Sequence, residues 1–459
     1  MHAPHRAFSF LPGHYPLFMV RRAVKGVLLA TLHSKPETRT LKIAIIGSGI
    51  AGLTAAYKLH QQHDITVFEA ADRLGGHTAT IDVTVDGCQH SIDTGFIVFN
   101  DWTYPNFIAL MNELGVQWRD SDMSFGVNCQ TSGLQYAGVT GRVAMYNGLF
   151  AQRRNLLSPS YIGMLLDILR FNKRACADFE HDRIPDMVLK DYVAHLGLSD
   201  KFRDYYLVPM ASAIWSTPFL QTLEFPVRFM LPFMYRHGLL NVHNRPRWRT
   251  LVGGSGAYLQ PISAGFADRI CLSTPVTGIE RFDDHVQLYT NDNVERFDHV
   301  VLACHSDQSL SLLRDTSADE QRVLSAVNYQ ANDVVLHTDA SVMPENRRAW
   351  ASWNYYLTAE RSGLPRVTYD MNRLMGITGD HQFLVSLNDT DRIDPAKVLG
   401  RFDYAHPVFT GAAAHAQTQW SLINGVQRTW FCGAWWGKGF HEDGVVSALR
   451  VAEELVRRT

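Results

Sequence analysis

Residues 42–76, KIAIIGSGIAGLTAAYKLHQQHDITVFEAADRLGG, decide the fold. The apolar run Lys42–Ile46 reads as a buried strand. Gly47, Gly49 and Gly52 form G-x-G-x-x-G, Ala51–His60 reads as a helix, and Asp64–Ala70 reads as a second strand carrying Glu69. Gly47 permits a tight strand-to-helix turn, Gly49 lets backbone approach a pyrophosphate, and Gly52 lets helix and strand pack closely. The helix start at Ile50 and Ala51 offers unpaired N–H groups and a partial positive charge to phosphate. Glu69, with Ala70 beside it, lies about 20 residues on, where a carboxylate meets ribose hydroxyls. Strand, helix, strand and acid in register describe a βαβ dinucleotide cradle rather than a chance glycine turn.

The chain has 459 residues, enough for two or three domains around sizeable cores. Charged residues are 19%, which fits a globular enzyme and excludes a disordered chain. A net charge of −2 gives no bulk attraction to nucleic acid, and none is expected as a partner. The six cysteines are scattered without zinc spacing, so reduced thiols, no metal site and a cytoplasmic setting are expected. No apolar run is long enough to span a membrane.

Beyond the cradle, residues 79–98 alternate like a hairpin and residues 103–117 read as a helix. Residues 150–245 are mostly helical, residues 269–303 return to strand signals, Trp430–Gly433 reads as a strand and Gly444–Arg457 as a helix. The expected architecture is α/β: a Rossmann-like nucleotide domain (41–102, 249–310 and 425–459) interleaved with an α+β substrate domain of mixed sheet and helices (103–248 and 311–424). Residues 1–40 are expected to be a disordered or peripheral extension. Within it, residues 15–33 mix apolar and basic residues, which leaves a basic amphipathic helix on the inner membrane face as a second reading. The active site is expected between the domains, at the carboxyl ends of the strands.

At Glu69-x-x-x-Arg73-x-Gly75-Gly76 the chain resembles the flavin amine oxidase superfamily, which narrows the dinucleotide to FAD. The resemblance implies that Arg73 meets the pyrophosphate. It also implies that Thr94, Gly95 and Phe96 of the Asp93–Phe96 loop approach the flavin, that Thr250–Ser255 supplies a glycine pair, and that Val276 meets adenine. Gly433, Asp443, Gly444 and Val445 resemble the C-terminal flavin motif, with Gly444 starting the last helix toward the flavin and Asp443 as a partner for ribityl or phosphate oxygens, a helix cap, or both. The stretches DTGFIVFN, FAQRRNLLSP, AIWSTP, VLACHSDQ, ASWNYY and GFHEDG are similar to a bacterial group of NAD(P)/FAD-dependent oxidoreductases. That group is also similar to the amino-terminal flavin domain of plant cyclopropane-fatty-acid synthases. The resemblance implies a lipid substrate, non-covalent FAD, and a cyclopropane-fatty-acid-synthase-like methyltransferase as partner.

His441 stands near the position where amine oxidases set an aromatic residue against the flavin. It reads as a base or substrate anchor, or as a packed histidine. Glu442 is the other catalytic candidate, and Trp435 and Trp436 line the ring pocket or pack the core. Two departures stand out. His77 replaces an arginine that many relatives place after the double glycine, and residues 327–337 lack the lysine of many amine oxidases. The second departure shifts the expected chemistry from amine oxidation with O₂ toward dehydrogenation, desaturation or isomerisation of an acyl chain. An amine oxidase and a flavin-bound, non-catalytic helper of a lipid-modifying enzyme stay open. The apolar segment Phe219–Leu240 reads as core, tunnel lining or membrane-facing patch, and Arg153–Arg154 as lipid-phosphate contacts or solvated charges.

Overall fold

A computed structural model describes residues 39–291 and 293–458. The expected extension lies, apart from Arg39 and Thr40, outside the described residues.

The nucleotide half is built on a five-stranded parallel sheet. Its spatial order is Ile270–Cys271, Asp64–Phe68, Lys42–Ile46, His299–Leu302, Thr429–Phe431. Numbered along the chain, that order is 3-2-1-4-5, the doubly wound pattern whose ligand crevice lies where the order reverses. The pleat divides the side chains between two layers. Ile43, Ile45, Ile65, Val67 and Val301 pack against helices Ile50–Leu59, Pro105–Glu113 and His441–Arg458. Ala44, Ile46, Phe68, Val300 and Leu302 pack on the other face, toward the three-stranded sheet Val276–Arg281, Val286–Thr290, Val294–Phe297 and the helix Ala318–Leu324. The central strands are therefore buried on both faces, which is why KIAII carries no alternation.

The second half holds a seven-stranded mixed sheet, in the order Val398–Val408, Asn328–His337, Leu384–Leu387, Arg366–Asp370, Trp353–Leu357, Phe125–Cys129, Gln135–Gly138. Helices Pro159–Glu180, Leu189–His195, Val208–Trp215 and Val227–Arg236 share its core. The aromatic segment 219–240 is mostly buried there, with Phe229, Leu231, Phe233 and Met234 all inside.

Three local readings need correction. The helix expected over 103–117 is shorter, Pro105–Glu113, because Gly115 turns left-handed (φ 70°) and Val116 N–H donates back to Met111 O at 2.9 Å. Its Phe107, Leu110 and Met111 pack in the core of the nucleotide half, not in that of the mixed sheet. The last helix begins at His441 rather than Gly444. Asp443 accordingly is not the residue before the helix. From the third helical position its carboxylate accepts the N–H groups of Lys438 and Phe440, both at 3.0 Å, which closes the helix start from within.

Candidate active site

The loops leaving the carboxyl ends of the parallel strands converge: residues 47–49, 69–77, 303–305 and 432–440. Gly47 takes φ 100°, and a Cβ there would sit 3.1 Å from Ala303 O. A Cβ on Gly52 would sit 1.9 Å from Gly47 O, so only glycine lets the helix meet the turn. Gly49 differs, since a Cβ there meets only Gly75 O, at 3.9 Å, and otherwise faces open space. A parallel bridge between Gly49 and Gly75 lays the Arg73–Gly76 tail across the cradle.

The fit of FAD is tested by what these groups leave unsatisfied. Helix Ile50–Leu59 has no side-chain cap and no acid in its first turn, so its N–H groups stand open beside Ala51. Glu69 Oε2 accepts Ser48 N–H at 2.9 Å and Ser48 Oγ at 2.6 Å, while Oε1 accepts Ala71 N–H at 2.9 Å. That carboxylate ties the turn to the strand end, next to Ala70, and keeps acceptor capacity for ribose hydroxyls. Among the described residues the Arg73 guanidinium donates only to carbonyls, those of Leu74, Gly76 and Thr78. Thr274 N–H donates to Glu69 O at 2.9 Å, which brings the Val276 strand to the same end. His77 Nε2 is buried without a partner among the described residues. An open helix terminus, an arginine without a carboxylate and an orphaned buried nitrogen fit an anionic, hydrogen-bonding dinucleotide.

Around His77 the structure gathers residues that no motif marks. Its ring lies 5.2 Å from Tyr404, 5.7 Å from His406 and 6.0 Å from His305. Burial holds His77 well below the ordinary histidine range, with His406, His305, His441 and Arg73 adding to it. Burial brings His406 down to about 4 and lowers His305. These imidazoles are neutral near pH 7. His406 Nδ1 lies 2.9 Å from Oγ of Ser216, a left-handed residue (φ 50°), and Tyr404 OH lies 2.9 Å from Thr94 Oγ1. Sequence reasoning named His77 and Thr94 separately and quoted the stretches holding Ser216 (AIWSTP) and His305 (VLACHSDQ), but it missed Tyr404 and His406 and the cluster itself, because the members come from distant segments.

The loop at Thr94, Gly95 and Phe96 is locked in place. Asp93 accepts Ser255 N–H at 2.8 Å and Thr80 Oγ1 at 2.6 Å, and burial pushes its carboxyl up to about 6. A Cβ on Gly95 would sit 2.2 Å from His77 O. Phe96 stacks on His441, with centroids 3.6 Å apart.

That stack defines where His441 stands. Its Nε2 lies 3.0 Å from Thr78 Oγ1, which is in turn 2.5 Å from Tyr258 OH. Burial drives the imidazole down to about 3, so it stays neutral. Glu442 is taken up by a helix terminus. It accepts Asn106 N–H (3.1 Å), the Asn106 amide (2.7 Å) and Phe107 N–H (2.8 Å), and so caps helix Pro105–Glu113 from across the core. Burial raises its carboxyl to about 7. Gly444 packs the last helix on the first, since a Cβ there would meet Ile50 Cγ2 at 2.8 Å, and Val445 is buried in the same seam. Gly433 N–H donates to Ser447 Oγ at 2.9 Å, and Trp435 Nε1 to Cys304 O at 3.2 Å.

The aromatic residue at the junction of the halves is Phe440, which packs against both cores and stacks on Phe233 at 5.2 Å. Phe229, Phe409 and Trp215 continue this seam. Lys438 Nζ sits 3.7 Å over the Phe229 ring. Burial brings the Lys438 ammonium down to about 8, with Asp443 opposing the shift and Arg236 adding to it.

Comparison with known proteins gives this geometry its family. Amine oxidase [flavin-containing] A of Canis lupus familiaris is 27% identical over 267 residues, 55% of this chain and 47% of the relative. The chain thus spans about half the length of the curated relatives it matches. Among solved structures, a triple mutant of putrescine oxidase superposes with a TM-score of 0.64 at 14% identity, covering 92% of this chain and 99% of that one. A CLA-producing fatty acid isomerase from P. acnes gives 0.60 at 16%, with the same coverage. These likenesses establish the fold. The family model described as flavin containing amine oxidoreductase matches residues 50–371, most of the chain and all of the cradle's helix, and the protein belongs to that family.

Proposed function

We propose that this FAD-dependent oxidoreductase takes hydride from a C–H bond of an apolar substrate, an unsaturated or modified fatty-acyl chain. The observation that carries the reading is the run of ring contacts through Trp215, Phe229, Phe233 and Phe409, an aromatic wall inside the mixed-sheet core that reaches the nucleotide half at Phe440. Such a wall desolvates an extended apolar chain and offers it dispersion contacts. A neighbour of the same fold bears the name of a fatty acid isomerase, so the architecture is compatible with acyl chains.

Bound FAD supplies the two-electron acceptor. The protein's part is to hold and to exclude. Gly49, Ile50 and Arg73 take the phosphates, and Glu69 the ribose. Helix His441–Arg458 starts at the carboxyl edge of the sheet with Glu442 and Asp443 in its first turn, so its dipole would act on the cofactor against two acids rather than as an open positive end. Neutral His77 and His406 offer nitrogens that accept or donate without adding charge. Non-covalent attachment is supported by Cys432, which is buried in the helix-side core with its thiol pushed well up by burial. Among the described residues no helix is long and apolar enough to cross a membrane.

The competing reading, an amine oxidase, rests on the likeness to the flavin-containing oxidase A. Lys438 opposes it, because a protonated amine entering the seam would face an ammonium already desolvated there. Anaerobic stopped-flow tests the choice. Acyl lipids should bleach the flavin and amines should not. Rapid bleaching by amines with peroxide release in air would overturn the proposal, and bleaching by neither would leave the non-catalytic helper of a lipid-modifying methyltransferase as the reading.

A further inference from the structure

Residues 123–166 contain no Asp or Glu, yet they carry Arg142, Arg153 and Arg154. The same stretch displays the most exposed large apolar side chains of the described residues: Leu157 is 90% exposed and Val143 75%, with Tyr146 and Leu156 beside them. A monomer surface normally scatters such residues singly, and clustering marks a contact surface.

The exposure does not come from a loose loop. Helix Arg142–Leu149 lies tight on strand Gln135–Gly138, since a Cβ on Gly148 would meet Ala137 O at 2.4 Å. Tyr161 OH donates to Leu149 O at 2.6 Å, and the Asn346 amide donates to Ala151 O at 2.6 Å. These bonds fix the chain that leads into the turn Arg153–Leu157. Arg153 is set in place by Phe150 O (2.9 Å) and Asn147 Oδ1 (2.6 Å), with its guanidinium 5.2 Å from the Tyr146 ring. Its charge is oriented, exposed and unmatched by any carboxylate in residues 123–166.

We propose that this face, Val143, Tyr146, Leu156 and Leu157 ringed by Arg142, Arg153 and Arg154, docks the protein on the surface of an anionic lipid bilayer. Leucine, valine and tyrosine enter the interfacial zone while arginines meet lipid phosphates, the division of labour of a peripheral membrane contact. Acid-free sequence selects a negative partner, and an oily tip selects a bilayer over a polyanion. The contact goes beyond the substrate assignment and does not depend on it, because binding is read without turnover.

The test is flotation of the flavin-loaded full chain with vesicles of phosphatidylcholine alone or mixed with phosphatidylglycerol. Binding to the mixed vesicles only, weakened by salt, is expected. Val143→Asp/Leu157→Asp and, separately, Arg153→Ala/Arg154→Ala should each lower the partition coefficient by about tenfold or more, while bound flavin is unchanged. Absence of binding to mixed vesicles at low salt overturns the proposal, as does equal binding by wild type and both variants. A shift from dimer to monomer in Val143→Asp/Leu157→Asp, without vesicle binding by the parent, would assign the face to a second copy instead. Vesicle binding with no bleaching by acyl lipids would retire the substrate reading and leave this one standing.

Discussion

Single residues in this protein separate shape from ligand contact. Gly52 and Gly49 belong to one motif yet meet different surroundings, a backbone oxygen in one case and open space in the other. Gly52→Ala should therefore disrupt folding, and the soluble yield should fall. Gly49→Ala should keep its secondary structure and lose flavin, read as visible absorbance per mole of protein. Retention of flavin by Gly49→Ala would show that its backbone is not approached by the pyrophosphate. Glu442 can be tested similarly. As a buried cap, Glu442→Ala should lower stability by about 1–3 kcal/mol, while Glu442→Gln, which keeps an acceptor for Phe107, should lose less. Flavin reduction by substrate should track the folded fraction in both. A large rate loss in Glu442→Gln with unchanged melting would instead make the carboxylate catalytic.

At the scale of elements, what could be read from sequence was what depends on neighbours along the chain. The strand KIAII, the glycine turn and the helix after it are local, and their register follows from spacing alone. The start of the last helix was misplaced because Asp443 has the chemistry of a cap residue but acts from the third helical position, reaching back to Phe440 N–H. The role of Glu442 was invisible because its partners, Asn106 and Phe107, are 335–336 residues away. The contact between the first and last helices yields a prediction of its own. Gly444→Ala should overpack Ile50, cost about 1–3 kcal/mol and lower flavin occupancy. Ile50→Ala should restore part of both in the double variant, since neighbouring sites couple. A double variant that is only additively worse would show that the two helices do not meet at this point.

For the whole molecule, the buried ionisable groups set how stability follows pH. Burial holds His77 well below its ordinary range and brings His237, His337, His406 and His441 to between about 3 and 4. The unfolded chain takes up protons at these histidines below about 6.5, whereas the folded chain does not, so they make stability rise with pH. Asp93, Asp443 and Glu442, raised to about 6, 6 and 7, act in the opposite sense, because the folded chain holds their protons longer. The histidines outnumber these carboxyls, and unfolding free energy should climb between about pH 4 and 6.5. Urea titrations at several pH values check the slope, and a flat or falling curve would show that the carboxyls win. The two-half architecture was itself legible in sequence, because strand and helix signals alternate along the chain. The histidine cluster was not, since it exists only once residues 77, 305, 404 and 406 are folded together.

The seat of the last helix on the first has a temporal consequence. The helix His441–Arg458 is made long after the first strand, yet its Gly444 packs on Ile50, directly after the glycine turn that Gly47 opens. Until residues 441–458 have been synthesised, the glycine turn has no such helix beside it. Flavin capture thus waits for residues 441–458 rather than for the fingerprint alone, and a chain cut short before them would carry the fingerprint of a flavoprotein without the means to hold its pigment.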